Sequence, residues 1–302
     1  MKHVFIVNPV SGKADASLYL VPRLIDAAAG AGVDYAVELT QHAGHAAEIA
    51  RQYGDDGEPV RLYACGGDGT LNEVINGAVG FPQASVGCYP CGSGNDFVKY
   101  YGGKQHFLNL QAQINAVEHS IDLIRVGNRY AVNAAHFGFD SCVAKTMMNI
   151  RRKKLIGGKN AYTTAVLVAL FRGMKNRCRV TVDGKLLNPS EKLLLCTVAN
   201  GQYVGGSFCC APRSKSDDGL IDVCLIRPIS RLRFVKILKP YTNGEHLDRE
   251  DMKDIVIYRQ AKKVEVTAAP GFAYSLDGEI IYSEHFTVEI AEKALDFAVP
   301  ED

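Results

Sequence analysis

Net charge is almost absent from this chain. Its 34 Lys and Arg face 33 Asp and Glu, leaving +1 over 302 residues. No global positive field therefore argues for nucleic acid as a partner. Long apolar runs are missing too. The longest, Ala165 to Phe171 with its approach Tyr162–Thr164, falls far short of the roughly 18 residues a spanning helix needs. The amino terminus reaches Asn8-Pro9 too soon for a secretory leader, so a cytoplasmic location is expected. GxxxxGK[ST] does not occur, which excludes the ordinary P-loop, and no dinucleotide GxGxxG fits a strand–helix turn. Internal repeats and low-complexity linkers are not visible. The nine cysteines are odd in number and scattered through strand-like stretches such as Leu195-Cys196 and Val223-Cys224. They read as buried free thiols in a reducing compartment. Cys88-Tyr89-Pro90-Cys91 is a CxxC without a second metal-spaced pair, so a redox or zinc role carries little weight.

What is present is organised around Ala64-Cys65-Gly66-Gly67-Asp68-Gly69-Thr70-Leu71-Asn72-Glu73. The apolar segment Val60 to Ala64 reads as a buried strand. Leu71, Val74, Ile75 and Ala78 mark one face of a helix. Glycine between them lets a backbone or ligand come close. The helix start offers free N–H groups and the positive end of a dipole, which together bind anions such as phosphate. Asp68 in that turn would repel phosphate unless a cation lay between, so it implies Mg²⁺. A plain glycine-rich turn with an exposed Asp is the competing reading of this stretch alone.

The rest of the first 120 residues repeats the rhythm. Residues 2–7 form an apolar strand, stopped by Asn8-Pro9-Val10-Ser11-Gly12-Lys13. Ser11 or Asp15 can cap the helix marked by Leu18, Leu20, Val21, Leu24 and Ile25. Val33 to Leu39 is the next strand, ending at Thr40, and His45 to Tyr53 a helix. The helix after Gly66 ends near Gly80. Ala84 to Tyr89 is a strand, followed by Pro90-Cys91-Gly92-Ser93-Gly94-Asn95-Asp96-Phe97, and a helix spans Leu108 to Val117. This βαβα alternation predicts a parallel sheet covered by helices, with ligands at the carboxyl ends of the strands.

From about Ser120 the rhythm changes. Tyr130–Ala134, Arg179–Val182, Lys192–Val198, Ile221–Ile226 and Val264–Thr267 are short strands, interrupted by helices near Ser141–Ile150 and Ala161–Arg172. A mainly antiparallel second domain is expected. The fold class is α/β: a parallel-sheet nucleotide-binding domain over 1–122, then a β-rich, sandwich-like domain over 123–293.

Gly-Gly-Asp-Gly-Thr at residues 66–70 thus follows Asn8-Pro9-Val10-Ser11-Gly12-Lys13 and precedes Gly92-Ser93-Gly94-Asn95-Asp96-Phe97. Further on stand Ala211-Pro212, Asp217-Asp218-Gly219-Leu220 and Leu276-Asp277-Gly278-Glu279. With these motifs in order, the chain resembles the diacylglycerol kinase catalytic-domain family, in its soluble bacterial lipid-kinase branch, related to sphingosine and ceramide kinases. The likeness runs from about Val4 to Val299.

That resemblance implies ATP and Mg²⁺ as cofactors and a diacylglycerol-like lipid as substrate. It implies that Asn8, Pro9, Ser11, Gly12 and Lys13 cradle the ATP phosphates. Gly66, Gly67, Asp68, Gly69, Thr70, Leu71 and Asn72 would complete that cradle. Thr40 and Ser93 would touch the nucleotide. Asp68, Asp96 and Asp122 would surround the catalytic Mg²⁺, directly or through water. Asp277 or Glu279 would be the general base, with Asp68 the third catalytic carboxylate. A second, structural Mg²⁺ would sit on the Asp218 carboxylate and the carbonyls of Lys215 and Leu220. Residues 294–302 would pack back on the first domain. Work at the inner membrane surface follows from a lipid substrate, and a homodimer stays open.

The residues keep their plainer readings beside these. Asp96 would serve equally as a helix N-cap, and Asp122 as an ordinary strand-end carboxylate. Asp277-Gly278 is the commonest hairpin dipeptide. If a strand continued through it, Asp277 and Glu279 would face one cleft. Arg151-Arg152-Lys153-Lys154 with Lys159, Arg172, Lys175 and Arg177 form a basic cluster around an apolar helix, either a membrane contact or a solvated helix end. His42 and His45 show no further metal ligand and read as capping or surface residues. An NAD kinase shares the glycine turn, and a lipid-binding regulator with lapsed activity shares the rest. Asn-Pro-x-Ser-Gly-Lys and Asp-Gly-Glu speak against the first, and the complete carboxylate set against the second.

Overall fold

The structure is a computed structural model that describes residues 1–12, 15–152, 168–170 and 173–301. The first half alternates as expected: β1 (Lys2–Val7), α1 (Ala16–Ala31), β2 (Asp34–Leu39), α2 (His45–Asp55), β3 (Val60–Gly66), α3 (Asp68–Ala78) and β4 (Ala84–Pro90). The strands are parallel in the order β2-β1-β3-β4. Every residue of β3 and β4 is buried, because helices cover both faces. Val4 and Ile6 of β1 pack towards α2 and α3, while Phe5 and Val7 pack towards α1. That split is the strand's alternation read out in packing.

Two elements of the first half differ from their sequence patterns. In α1 the buried face is Ala16, Leu20, Leu24 and Ala28. Leu18 and Ile25, expected inside, are exposed. Asp15 caps this helix, accepting from Ser17 N–H at 2.9 Å. The helix foreseen over Leu108–Val117 is only α4 (Leu110–Ile114). Asn109 caps its start by accepting from Gln111 and Ala112 N–H. Val117 then leaves to pair with Val299.

The second half opens with β5 (Val117–Val126), β6 (Arg129–Ala131), β7 (Ala134–Gly138) and α5 (Phe139–Arg152). β8 (Asn176–Val182), β9 (Lys185–Leu186), β10 (Lys192–Leu193), β11 (Leu195–Ala199), β12 (Tyr203–Val204), β13 (Phe208–Cys209) and β14 (Ile221–Ile226) follow. After α6 (Arg231–Thr242) come β15 (Val256–Ala261), β16 (Lys263–Ala268), β17 (Ala273–Leu276), β18 (Glu279–Tyr282) and β19 (His285–Val299). An antiparallel sheet β15-β14-β11-β7-β17-β18 faces the far part of the first sheet. Phe137, Val180, Val198, Val223, Val264 and Val288 fill the space between. α5 and α6 cover the outer face, with the Phe139 and Phe234 rings 4.6 Å apart. The α/β class, with a parallel start and an antiparallel sandwich-like continuation, is therefore as the sequence reads.

The two halves share one sheet. β19 pairs with β16 and the end of β5 through residues 285–291, then with β4 and the start of β5 through residues 295–299. A bulge separates the two stretches, with Lys293 at φ +48°. Of the foreseen helix at 161–172 only residues 168–170 are described, as helix, and four of the eight residues of the basic cluster, Lys153, Lys154, Lys159 and Arg172, lie outside the described residues. Lys175 and Arg177 are exposed. All nine cysteines are free, and burial pushes the Cys88 thiol well up and the Cys91 thiol up. This leaves little thiolate for the CxxC to use.

Candidate active site

The parallel strands end in register. Val7 lies opposite both Leu39 and Cys65, and Gly66 opposite Pro90. The loops that follow leave the sheet at one edge and touch. Asn8 N–H donates to Cys65 O at 3.0 Å, and Cys91 N–H to Gly66 O at 2.7 Å. Asn8 Nδ2 reaches Thr70 Oγ1 at 3.0 Å. A Cβ on Gly66 would stand 2.3 Å from Thr70 Oγ1, and one on Gly92 only 2.6 Å from the Gly67 Cα. Glycine is required here because loop backbone and a hydroxyl occupy the space of a side chain.

Asp68 is the first residue of α3, after Gly67, which gives no side-chain cap. The first-turn N–H groups and the dipole favour an anion there. The Asp68 carboxylate accepts N–H bonds from Asn95 at 2.8 Å and Asp96 at 2.5 Å. Asp96 does not cap its own helical turn. Its carboxylate accepts from Gly206 N–H at 3.0 Å and from Lys99 Nζ at 2.5 Å. Burial first, and then the Asp96 charge, push the Asp68 pKa above the usual carboxylate value. A divalent cation would relieve that repulsion, and the all-oxygen pair suits Mg²⁺.

One turn along α3, Asn72 faces the second half. Its Nδ2 donates to Tyr130 O at 3.1 Å and to Asp277 Oδ2 at 3.2 Å. Residues four apart on a helix are neighbours, about 5–6 Å between Cβ atoms. Asp277 therefore lies one turn from Asp68. Asp277 and Gly278 form the two-residue turn of the β17–β18 hairpin, at φ +44° and +92°. The turn aims the carboxylate inward, where it accepts from Val132 N–H at 2.7 Å, Asn133 at 3.1 Å and Ala134 at 2.9 Å. Those three amides explain why the strand expected over Tyr130–Ala134 breaks into β6 and β7. Burial pushes the Asp277 pKa up to about 6, against the four donors that hold it down.

Other candidates fall in place or apart. Ser11 N–H bonds Asn8 O, and Gly12 takes φ +97° beside Cys91 O. Pro9 is half-buried in the same loop, and Lys13 lies outside the described residues. Thr40 follows β2, its N–H on Val7 O at 2.9 Å. Ser93 is exposed on the 91–96 loop, and Gly69 in the first turn of α3. Leu71 is buried in the core, so only its backbone can serve a phosphate.

Two expectations need correction, on the direction of Glu279 and on the third partner of the histidines, and Asn72, Asp122 and Asp218 are placed as follows. Glu279 turns outward to Arg129 Nη1 at 2.9 Å and does not share a cleft with Asp277, because the chain reverses at Gly278. Asn72 gives its side-chain amide to Asp277 and Tyr130. Asp122 is buried with both oxygens occupied, by Gly219 N–H and Lys293 N–H at 2.7 Å each. Among the described residues no contact joins it to Asp68 or Asp96. His42 and His45 do have a third partner, Glu48, with ligand atoms within 4.8 Å. His45 Nδ1 accepts from Gln41 N–H, ahead of the helix, and no side chain caps α2. Asp218 is exposed, accepting from Leu220 N–H at 3.1 Å, in the same loop as Lys215.

Sequence reasoning passed over Asn95, Asn76, Gly206 and the 132–134 amides. The pair Gly205-Gly206, between Tyr203-Val204 and Phe208-Cys209, was the readable signal, since such a pair marks a tight hairpin. Asn95 sits at φ +48°, and Asn76 bonds both Tyr130 backbone groups.

Fold and site together suit the phosphotransferase class. Comparison with known proteins adds its family. The model for the diacylglycerol kinase catalytic domain matches residues 2–126, and that for the YegS C-terminal NAD kinase beta sandwich-like domain matches residues 133–299. The chain belongs to the diacylglycerol kinase catalytic-domain family, in the branch of YegS-like lipid kinases. It is 28% identical over 296 residues to a protein of Chromohalobacter salexigens described as "Probable lipid kinase YegS-like", covering 97% of this chain and 92% of that one. To the diacylglycerol kinase of Bacillus subtilis it is 28% identical over 277 residues, 91% of this chain and 88% of that one. A crystal structure of a diacylglycerol kinase from Bacillus anthracis superposes with a TM-score of 0.72 at 18% identity, covering 99% and 96% of the two chains. That likeness speaks for the fold.

Proposed function

We propose that the protein is an ATP- and Mg²⁺-dependent lipid kinase that transfers the γ-phosphoryl group to a hydroxyl of diacylglycerol or a related lipid. The observation that carries this reading is Asp277 held by Asn72 one turn of α3 from Asp68. An acceptor hydroxyl between them gives its proton to Asp277 as its oxygen bonds the γ-phosphorus. The bond to the β-phosphate oxygen breaks, and ADP leaves. The 8–12 loop and the α3 N-terminus position the phosphates, with Thr40 and Ser93 towards the nucleotide. Asp68 and Asp96 would hold Mg²⁺, which neutralises phosphate charge and orients the transfer. Asp122 acts on this centre through the loops it pins. We place a structural Mg²⁺ on Asp218 with the Lys215 and Leu220 carbonyls. We divide the chain into 1–122 with 294–302, and 123–293.

The test is a panel of lipids with labelled ATP, with and without Mg²⁺. Labelled diacylglycerol phosphate that requires Mg²⁺ supports the reading. Label on NAD instead would favour the NAD kinase alternative, which the sandwich model's description keeps in view. Lipid binding without ATP turnover would favour a regulator.

A further inference from the structure

Helix α6 has two faces of opposite kind. Phe234, Ile237 and Tyr241 are buried against the protein. Outward stand Arg231, Leu232, Val235, Lys236 and Lys239, spaced as one face of a 3.6-residue period. Leu232 is 80% and Val235 61% exposed. Single exposed aliphatics are ordinary on a protein surface. Two in one turn, with Arg231, Lys236 and Lys239 as the other exposed residues of the helix face among the described residues, are not.

No Asp or Glu occurs in this helix, in a chain whose charges nearly cancel. Of its cations only Lys239, in the last turn, complements the helix dipole. Arg231 and Arg233 stand in its first turn, where positive charge opposes the dipole. Arg233 is paired with Asp254 at 2.6 Å and bonds Asp251 O, so those acids flank the inner edge. Arg231 Nε bonds Leu170 O at 2.7 Å. Lys236 and Lys239 make no ion pair among the described residues.

We propose that α6 is a docking element for an anionic bilayer. Leu232 and Val235 enter the headgroup region, and Lys236 and Lys239 meet lipid phosphates. Apolar side chains framed by lysines on one face are what an interfacial helix needs, since lysine stems lie along the apolar layer while their charges stay at its surface. The position suits a lipid acceptor. α6 packs against β13, and the β12–β13 turn gives Gly206 N–H to Asp96. The bilayer contact is thus one hairpin away from the carboxylates. This purpose rests on the lipid-kinase reading, but the binding itself does not.

The test uses the full chain without ATP or acceptor. Sedimentation compares vesicles of phosphatidylcholine with one-third phosphatidylglycerol against phosphatidylcholine alone. Two double variants are made at exposed positions, Lys236→Gln with Lys239→Gln, and Leu232→Gln with Val235→Gln. Each should lower binding to the anionic vesicles about tenfold, with the unfolding temperature unchanged. On phosphatidylcholine alone the lysine variant should match the parent. Parent-like binding of either variant to anionic vesicles, or no binding by the parent, overturns the proposal. Phosphorylation of detergent-dispersed diacylglycerol, measured separately, fails only if the kinase reading fails.

Discussion

A carboxylate at the first position of a helix is normally favoured by the dipole. Asp68 has that position and two N–H partners, and still its pKa is raised, because burial and the neighbouring Asp96 outweigh them. Lys99 meets part of that charge at Asp96, and the proposed Mg²⁺ would meet the rest. Asp68→Asn should lower kcat at least about 100-fold, a loss typical of removing electrostatic stabilisation at a transition state. Circular dichroism should be unchanged. A folded variant with near-parental turnover would take Asp68 out of the metal site. Asp277 gives a pH prediction. As general base it works deprotonated, and its pKa is raised to about 6. Activity should therefore climb as pH rises through about 6 and fall about tenfold per unit below it. Asp277→Asn should reduce kcat by about 10²–10⁴ and erase that limb, with the KM for ATP within about twofold of the parent. A limb that survives in the variant would assign the base to another group.

At the scale of loops and turns, the positions that matter are tied down by backbone amides. Asp122 holds Gly219 and Lys293 N–H, joining the 214–219 loop to the bulge of β19, and its own N–H bonds Ser216 O. Asp122→Ala would orphan two amides at a buried site, costing about 2–5 kcal/mol. Urea unfolding should show the loss even in a buffer without nucleotide. A change under about 0.5 kcal/mol would mean the loops hold without it. The Asp218 loop can be separated from this by chelation. EDTA should lower the unfolding temperature of the parent but not of Asp218→Ala, and an equal drop in both would put the stabilising cation elsewhere. The legible parts of this site were local. Glycine beside a strand end, and an apolar segment before it, are written within ten residues, so Gly66 to Thr70 could be read directly. The Asn72–Asp277 contact spans 205 positions, and nothing near Asn72 announces it. The metal role of Asp122 came from the resemblance alone, and its amide partners Gly219 and Lys293 lie too far along the chain to be read beside it. The hairpin reading of Asp277-Gly278 holds, and it does not compete with the proposed catalytic role, because the positive-φ turn is what points the side chain inward.

Across the whole molecule, β19 is the piece that no local pattern discloses. Its fifteen residues pair with β16, β5 and β4, one set on each side of the bulge. The parallel sheet that carries the 8–12 and 91–96 loops and the sandwich that carries Asp277 are thus joined by continuous hydrogen bonding, not only by a linker. Phe297 anchors the terminal stretch. It is fully buried, edge-on to Phe97 at 5.0 Å and stacked on Tyr101 at 5.8 Å. Tyr101 in turn bonds Ser216, within the loop that Asp122 holds. Removing the ring should leave a cavity where both halves meet, so Phe297→Ala should cost about 3–5 kcal/mol. If β19 couples the halves, unfolding remains one cooperative transition in the variant, shifted as a whole, with calorimetric and van't Hoff enthalpies in agreement. Far-ultraviolet dichroism and tyrosine fluorescence should report the same midpoint. Should calorimetry instead resolve two transitions, with the nucleotide-facing half melting first, the shared strand would be a contact between independent units, and the spacing of Asp68 and Asp277 would have to be fixed by Asn72 and the bound substrates.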